Sequence, residues 1–388
     1  MILKNLKIKN FRNYSKLDLN LNDKINIIYG NNGQGKTNIL EGIYVLALTK
    51  SHRSFIDNNL IKEGEDQAII KGTLKKDISY NLEILLNKTK KQVKIDNNKE
   101  NKIGNYINNM NVIIFSSEDL DLIKGSPLER RKYINLQLSQ LSSNYYNSLN
   151  DFNKLLKIRN ETIKKINNNE EVDLNYFKIL TDYLITKSVF IYQMRNKYIC
   201  KLNEICPNIF EEISKLKGFN LKYCPSIDIK SFDKEEIRKI LEETFKDNYE
   251  KEINAKTTLY GPHRDDFDFC LLKNNIRDFG SQGQQKMAVL ALKLSEIEVF
   301  SNYKKTSPII LLDDVFSDLD MSKKNNLLKH INNNMQVIIT TTDLSNIDKN
   351  LLKQAKLIEI KNGQVIKEEV KKWTKNIIMN PIFKYWKD

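Results

Sequence analysis

Residues 25–43, INIIYGNNGQGKTNILEGI, decide the fold, because they join a buried strand to a helix through a glycine-rich loop. Ile25, Ile27 and Ile28 form a short apolar run of strand type, and from Thr37 onward Ile39, Leu40, Ile43 and Leu46 recur at helical spacing. Between them, Gly30, Asn31, Asn32, Gly33, Gln34, Gly35, Lys36 and Thr37 fit the G-x-x-x-x-G-K-[ST] phosphate-binding P-loop in the strand-to-helix context that the motif requires. Glycines let backbone N–H groups curl around phosphates, and the helix N-terminus faces the anion. Lys36 reaches the terminal phosphates, and the Thr37 hydroxyl is a magnesium ligand.

The 388 residues are enough for two or three domains, and 40% hydrophobic content is ordinary for a globular chain. No apolar run approaches the length of a membrane helix, and MILKNLKIKNF alternates like a strand rather than a signal peptide, so a cytoplasmic location is expected. Cys200, Cys206, Cys224 and Cys270 form no CxxC pair, and His52, His263 and His330 are scattered, which argues against a disulfide framework or a zinc site. A net charge of +14 points to a polyanionic partner, nucleic acid above all. Lys, Asn and Ile also share A/T-rich codons, so charge alone does not decide this.

In chain order, residues 2–8 and 17–21 alternate as an antiparallel start, with NFRNY as the turn between them, and Arg12 lies near enough in sequence to the nucleotide strand to reach a phosphate. After the basic loop KSHRSF, residues 67–74, 78–86 and 92–95 suggest a small second sheet. Residues 112–115 are an apolar strand, followed by SSEDL with helix-capping chemistry at Ser117, Glu118 and Asp119. From Ile123 to about Ala255 the pattern is helical: Pro127 suits a helix start, a long helix runs from Phe177 through Ile205 until Pro207 stops it, and Asp233 with Glu236 opens another. Strand character returns at residues 267–272, a helix covers 284–300, residues 337–340 are a buried strand, and Asn362-Gly363 closes a hairpin.

Two further motifs complete a site. Residues 309–312 deliver Asp313 and Asp314 at the carboxyl end of a buried strand, the Walker B pattern: Asp313 would hold magnesium, and Asp314 would polarise an attacking water. GSQGQQK opens a helix with Ser281, Gly283 and Gln284, a second anion site that a single P-loop does not need. This order, closing on SDLD, resembles an ABC-type ATPase head, in which the signature of one subunit closes on ATP held by the other. The fold class that follows is α/β: a P-loop α/β core with an antiparallel β subdomain, plus a helical lobe inserted in the chain. Residues 1–120 and 256–370 would form the head, 121–255 the lobe and 371–388 an unassigned tail.

Among ABC heads the chain resembles the RecF family of the SMC-like group, through LKIKNFRNY, YGNNGQGKTNILEGIY, KSHR, FSSEDL, GSPLERRKYI, LLKIRN, YGPHRDDF, FGSQGQQKMAVLALKL, ILLDDVFSDLD and TTTD. The resemblance implies ATP and Mg2+ as cofactors, an ATP-dependent homodimer and DNA binding at single-strand gaps or junctions. It also implies cooperation with RecR and RecO in loading RecA, and links to DNA replication restart, DNA damage repair and the SOS response. A weak, switch-like ATPase is the expected activity. Departures are Ser117 in place of the usual proline, Asn135 where RRxxLD usually ends in aspartate, no glutamine at the Q-loop position, and Asp314 in place of the usual ABC glutamate. A transporter nucleotide-binding subunit is the main alternative, disfavoured by the charge and the long insert; a scaffold with a degenerate site is disfavoured because every catalytic position is filled. Candidate DNA contacts are Arg130, Arg131, Lys132 and the loop from Lys50 to Arg53; Tyr145 and Tyr146 could stack on bases, although their spacing suits core packing.

Overall fold

The computed structural model describes residues 1–54, 56–318, 321–331 and 335–370; the tail, with Trp373 and Trp386, and the Leu319-Asp320 end of SDLD lie outside the described residues. One sheet is six-stranded and antiparallel, in the order β2 (Tyr14–Asn20), β1 (Ile2–Phe11), β4 (Gln67–Lys75), β5 (Ser79–Asn87), β6 (Lys91–Ile95), β7 (Asn98–Glu100). The strands at 67–95 are therefore not a separate small sheet: β1 pairs with β4 across its whole inner edge, and the N-terminal hairpin belongs to the same layer.

The second sheet has the order β15 (Gln364–Val370), β14 (Ala355–Lys361), β3 (Ile25–Tyr29), β13 (Val337–Thr341), β12 (Ile309–Asp313), β8 (Val112–Phe115). Its strands are parallel except for β15, which turns back through Asn362-Gly363, both with positive φ. Alternate residues enter two cores: Ile309 and Leu311 pack with the helix Lys36–Leu48 against the antiparallel sheet, while Ile310 and Leu312 pack toward the helical insert. A sheet covered on both faces explains why these strands read as unbroken apolar runs.

The insert contains the helices Pro127–Leu141, Ser143–Asn167, Leu174–Ser214, Lys234–Asp247 and Tyr249–Ala255. Two expectations for it are corrected. Pro207 does not stop the long helix, which continues to Ser214 because Ile209, Phe210 and Ile213 are buried beyond it and Phe210 stacks on Phe219, centroids 4.4 Å apart. The insert also carries a strand, β9 (Phe219–Cys224), which pairs with β10 (Asp266–Leu271) and, through it, with β11 (Asn274–Asn275). That pairing joins the insert to the chain that leads into the helix Gln282–Lys304. No helix among the described residues is long and apolar enough to cross a membrane.

Proline inside a helix removes one N–H and crowds the preceding turn, at a cost of about 3 kcal/mol, while its stiffness limits the unfolded chain by up to about 1 kcal/mol. Pro207→Ala should therefore stabilise the protein by about 1–2 kcal/mol, read from the midpoint of urea denaturation; an unchanged or lower midpoint would mean that the helix is already adapted to the proline.

Candidate nucleotide-binding site

The loop between β3 and the helix Lys36–Leu48 is clamped by both ends of the chain. Gly30 has φ 149°, and a Cβ there would sit 2.3 Å from the Ile360 carbonyl oxygen of β14; Gly35 has φ 102°, and a Cβ there would lie 2.7 Å from Tyr14 Oη. Only glycine fits either position. Tyr14 Oη donates to the Gly35 carbonyl at 3.1 Å, and Gln34 accepts from the backbone N–H groups of Asn362 and Gly363 in the C-terminal hairpin. Asn31, Asn32 and Gly33 form the exposed crest.

Lys36, 6% exposed, folds back so that Nζ donates to the carbonyls of Gly30 (2.7 Å) and Asn31 (2.8 Å). Burial pulls its pKa below the usual lysine value, opposed by the charges of Asp314 and Asp313. The next residue makes the decisive contact: Thr37 Oγ1 donates to Asp313 Oδ1 at 2.9 Å, and the same carboxylate oxygen accepts from Thr340 Oγ1 at 2.6 Å. The P-loop and Walker B strand thus present two hard oxygens together, which suits a magnesium ion that completes its shell with phosphate and water. Asp314 follows at φ 53°, an uncommon conformation for a residue with a Cβ, with its N–H directed to Thr340.

Ser281 caps the helix Gln282–Lys304 through a reciprocal capping box, its Oγ accepting from Gln284 N–H and Gln284 Oε1 accepting from Ser281 N–H. Among the described residues, no hydrogen bond joins Ser281, Gly283 or Gln284 to the P-loop of the same chain. Gln282 and Lys286, however, line a 320 Å³ cavity with Ser116, Asp313 and Asp314. Arg12, expected near phosphate, grips Glu41 of the P-loop helix at 2.7 and 2.8 Å and the Asn59 carbonyl at 2.9 Å. Arg53 is the more loosely held arginine beside the P-loop helix, 3.4 Å from Asn38 Oδ1, 3.8 Å from Glu118 and 3.9 Å from Glu41.

Comparison with known proteins places this geometry. The RecF/RecN/SMC N terminal domain family matches residues 2–366. DNA replication and repair protein RecF from Bacillus thuringiensis (strain Al Hakam), and likewise from Bacillus cereus (strain B4264), is 40% identical over 94% of this chain and 98% of the relative. The chain belongs to the RecF family. Two solved RecF structures, described as the recombination mediator protein RecF with ATP and with ATPrS in the RecFOR pathway, superpose with TM-scores of 0.88 and 0.86 at 31% and 32% identity, over 95% and 94% of this chain and 97% of each. A Pyrococcus furiosus Smc head domain, at 15% identity and TM-score 0.50, shares the fold. The architecture is that of an ABC-type ATPase head with a helical lobe.

Within this RecF-family chain, two of the candidate DNA contacts have partners in the fold. Arg130 is buried and forms a bidentate pair with Asp266 at 2.6 and 2.9 Å, and Arg131 donates to the Asp265 carbonyl at 2.7 Å. Lys132 lies 3.2 Å from Glu129, and Tyr145 is core. Lys50, His52, Arg53, Lys132 and Tyr146 line a 960 Å³ cavity between the KSHR loop and the insert. There His52 packs edge-on against Tyr44, and burial lowers its pKa to about 4. Asn135, where the RecF pattern has aspartate, accepts from Tyr145 Oη at 2.6 Å and Arg195 Nη2 at 3.0 Å; the negative partner of buried Arg195 is Asp265, at 2.7 Å.

Burial disfavours the charge on Glu41, but the bonds from Arg12 and Ser51 outweigh it and hold its carboxyl below the ordinary range. A depressed folded pKa contributes stability that is present above the unfolded value and lost as pH falls through the folded one. Arg12→Met leaves Glu41 buried without its cation, so the variant should lose about 3–5 kcal/mol at pH 7 and show a smaller further loss on acidification toward pH 4. Denaturation across that pH range checks this, and a parallel acid profile in both proteins would contradict it.

Proposed function

We propose that this chain is an ATP-dependent DNA-binding protein of DNA replication and recombinational repair, working as an ATP-driven homodimer at single-strand gaps or junctions. The observation that carries the reading is the 2.9 Å contact between Thr37 and Asp313, made where the P-loop and the Walker B strand meet. ATP-bound RecF structures and relatives named for replication and repair support it, and 40% identity over 94% of the chain favours it over a transporter subunit.

In this reading Lys36 turns from the Gly30 and Asn31 carbonyls to the terminal phosphates, while the amides of residues 31–36 cradle them. Thr37 and Asp313 would hold magnesium, which would supply neutralising charge for the phosphates. Asp314 orients and polarises the attacking water, one methylene short of the usual glutamate, which fits slow, switch-like hydrolysis. Ser281, Gly283 and Gln284, unattached to their own P-loop, receive the γ-phosphate held by the other copy. ATP state then sets dimerisation and DNA affinity, in the cytoplasm, with RecR and RecO as partners in loading RecA and with a link to SOS induction.

Two variants test the division of labour. Lys36→Ala removes the P-loop cation that would meet the terminal phosphates, so ATP affinity should fall about 100-fold or more. Ser281→Arg should leave ATP binding by the monomer intact yet block ATP-induced dimerisation in light scattering. Unchanged nucleotide affinity in the first, or normal dimers in the second, would overturn the corresponding assignment.

A further inference from the structure

The helix Gln282–Lys304 carries two buried ionisable side chains that the proposed chemistry does not use. Glu296 faces the insert and accepts from Tyr133 Oη at 2.6 Å and Tyr198 Oη at 2.8 Å. Lys293, 2% exposed, faces the head: its Nζ donates to the Ile114 carbonyl of β8 at 2.9 Å, pairs with Asp119 Oδ1 at 3.0 Å and lies 4.7 Å from the centre of the Tyr133 ring. Asp119 is itself bifunctional, because its other oxygen accepts from Ser116 N–H at 2.9 Å while Ser116 Oγ accepts from Asp119 N–H in return. β8 runs parallel to β12 with Phe115 opposite Leu312, so Ser116 leaves its strand beside the point where Asp313 leaves the neighbouring one. Ser116, Asp119 and Lys293 line one cavity with Asp313 and Asp314.

We propose that Lys293 is a positioning residue for ATP hydrolysis: it fastens the Ser116–Leu120 turn, which borders the Walker B carboxylates where no Q-loop glutamine exists, to the helix opened by Ser281. A shift of that helix when Ser281 takes up an anion is carried through the Lys293–Asp119 pair to the turn and so to the edge of the Asp313–Asp314 site. Glu296 ties the same helix to the insert, which makes it a lever between the two lobes. This inference rests on the ATPase reading above.

Lys293→Met keeps the length of the side chain and removes its charge. Turnover of ATP should drop about 10- to 100-fold, as expected for a displaced catalytic geometry, while ATP affinity stays as in the wild type because the P-loop is untouched. The single variant strands the Asp119 carboxylate, so its melting temperature should also fall. Adding Asp119→Asn relieves the stranded charge and leaves the Ser116 N–H an acceptor. The double variant should therefore recover much of the melting temperature, the Ile114 carbonyl still lacking its donor, but not the turnover. Recovery of both would show an ion pair that only stabilises the fold, and normal turnover in Lys293→Met would overturn the proposal directly. Wild-type protein that binds ATP without hydrolysing it removes the ATPase reading, and this inference with it; wild-type protein that does not bind ATP removes the nucleotide site as a whole.

Discussion

One carboxylate oxygen, Asp313 Oδ1, holds three segments together: it accepts from Thr37 at the start of the P-loop helix and from Thr340 on β13, and it belongs to β12. Those segments are far apart in sequence, and only a parallel sheet with β3, β13 and β12 side by side brings them to one edge. The sheet can be parallel because both of its faces are buried, one under the P-loop helix and the antiparallel sheet, the other under the insert and the helix Gln282–Lys304. The position of a single oxygen thus depends on both cores.

The same site is braced by chain ends. Tyr14 from the N-terminal hairpin and the Asn362-Gly363 turn from the C-terminal one grip the P-loop on either side, and Arg12 secures the helix behind it through Glu41. A loop that must offer backbone N–H groups to a ligand cannot use them to hold its own shape. Here its carbonyls and the neighbouring side chains carry that load, including Lys36, whose ammonium is engaged with the loop's own carbonyls.

What was legible in the sequence had short-range grammar. The P-loop, the apolar strand ending in two aspartates, the Ser281 cap and the Asn362-Gly363 hairpin each depend on residues within a few positions of one another, and each stands where the spacing puts it. Failures came where distant partners decide. Arg130 looks like a surface cation until Asp266 is placed against it from 136 positions away. Pro207 reads as a stop because the burial of Phe210 against β9 cannot be seen locally, and β9 itself is six residues whose partner strand begins more than one helix later. Lys293 and Glu296 carry no local signal of burial; both are buried because that helix lies between the head and the insert.

If nucleotide and DNA act on one equilibrium, closed dimer against open monomer, linkage requires each ligand to tighten the other by the same factor. The direct measurement is ATP affinity with and without a saturating gapped duplex, set beside affinity for that duplex with and without ATP, at one salt concentration because phosphate contacts are salt-dependent. The account predicts two coupling factors greater than one and equal within error. ATP affinity indifferent to DNA, together with DNA affinity indifferent to ATP, would contradict it.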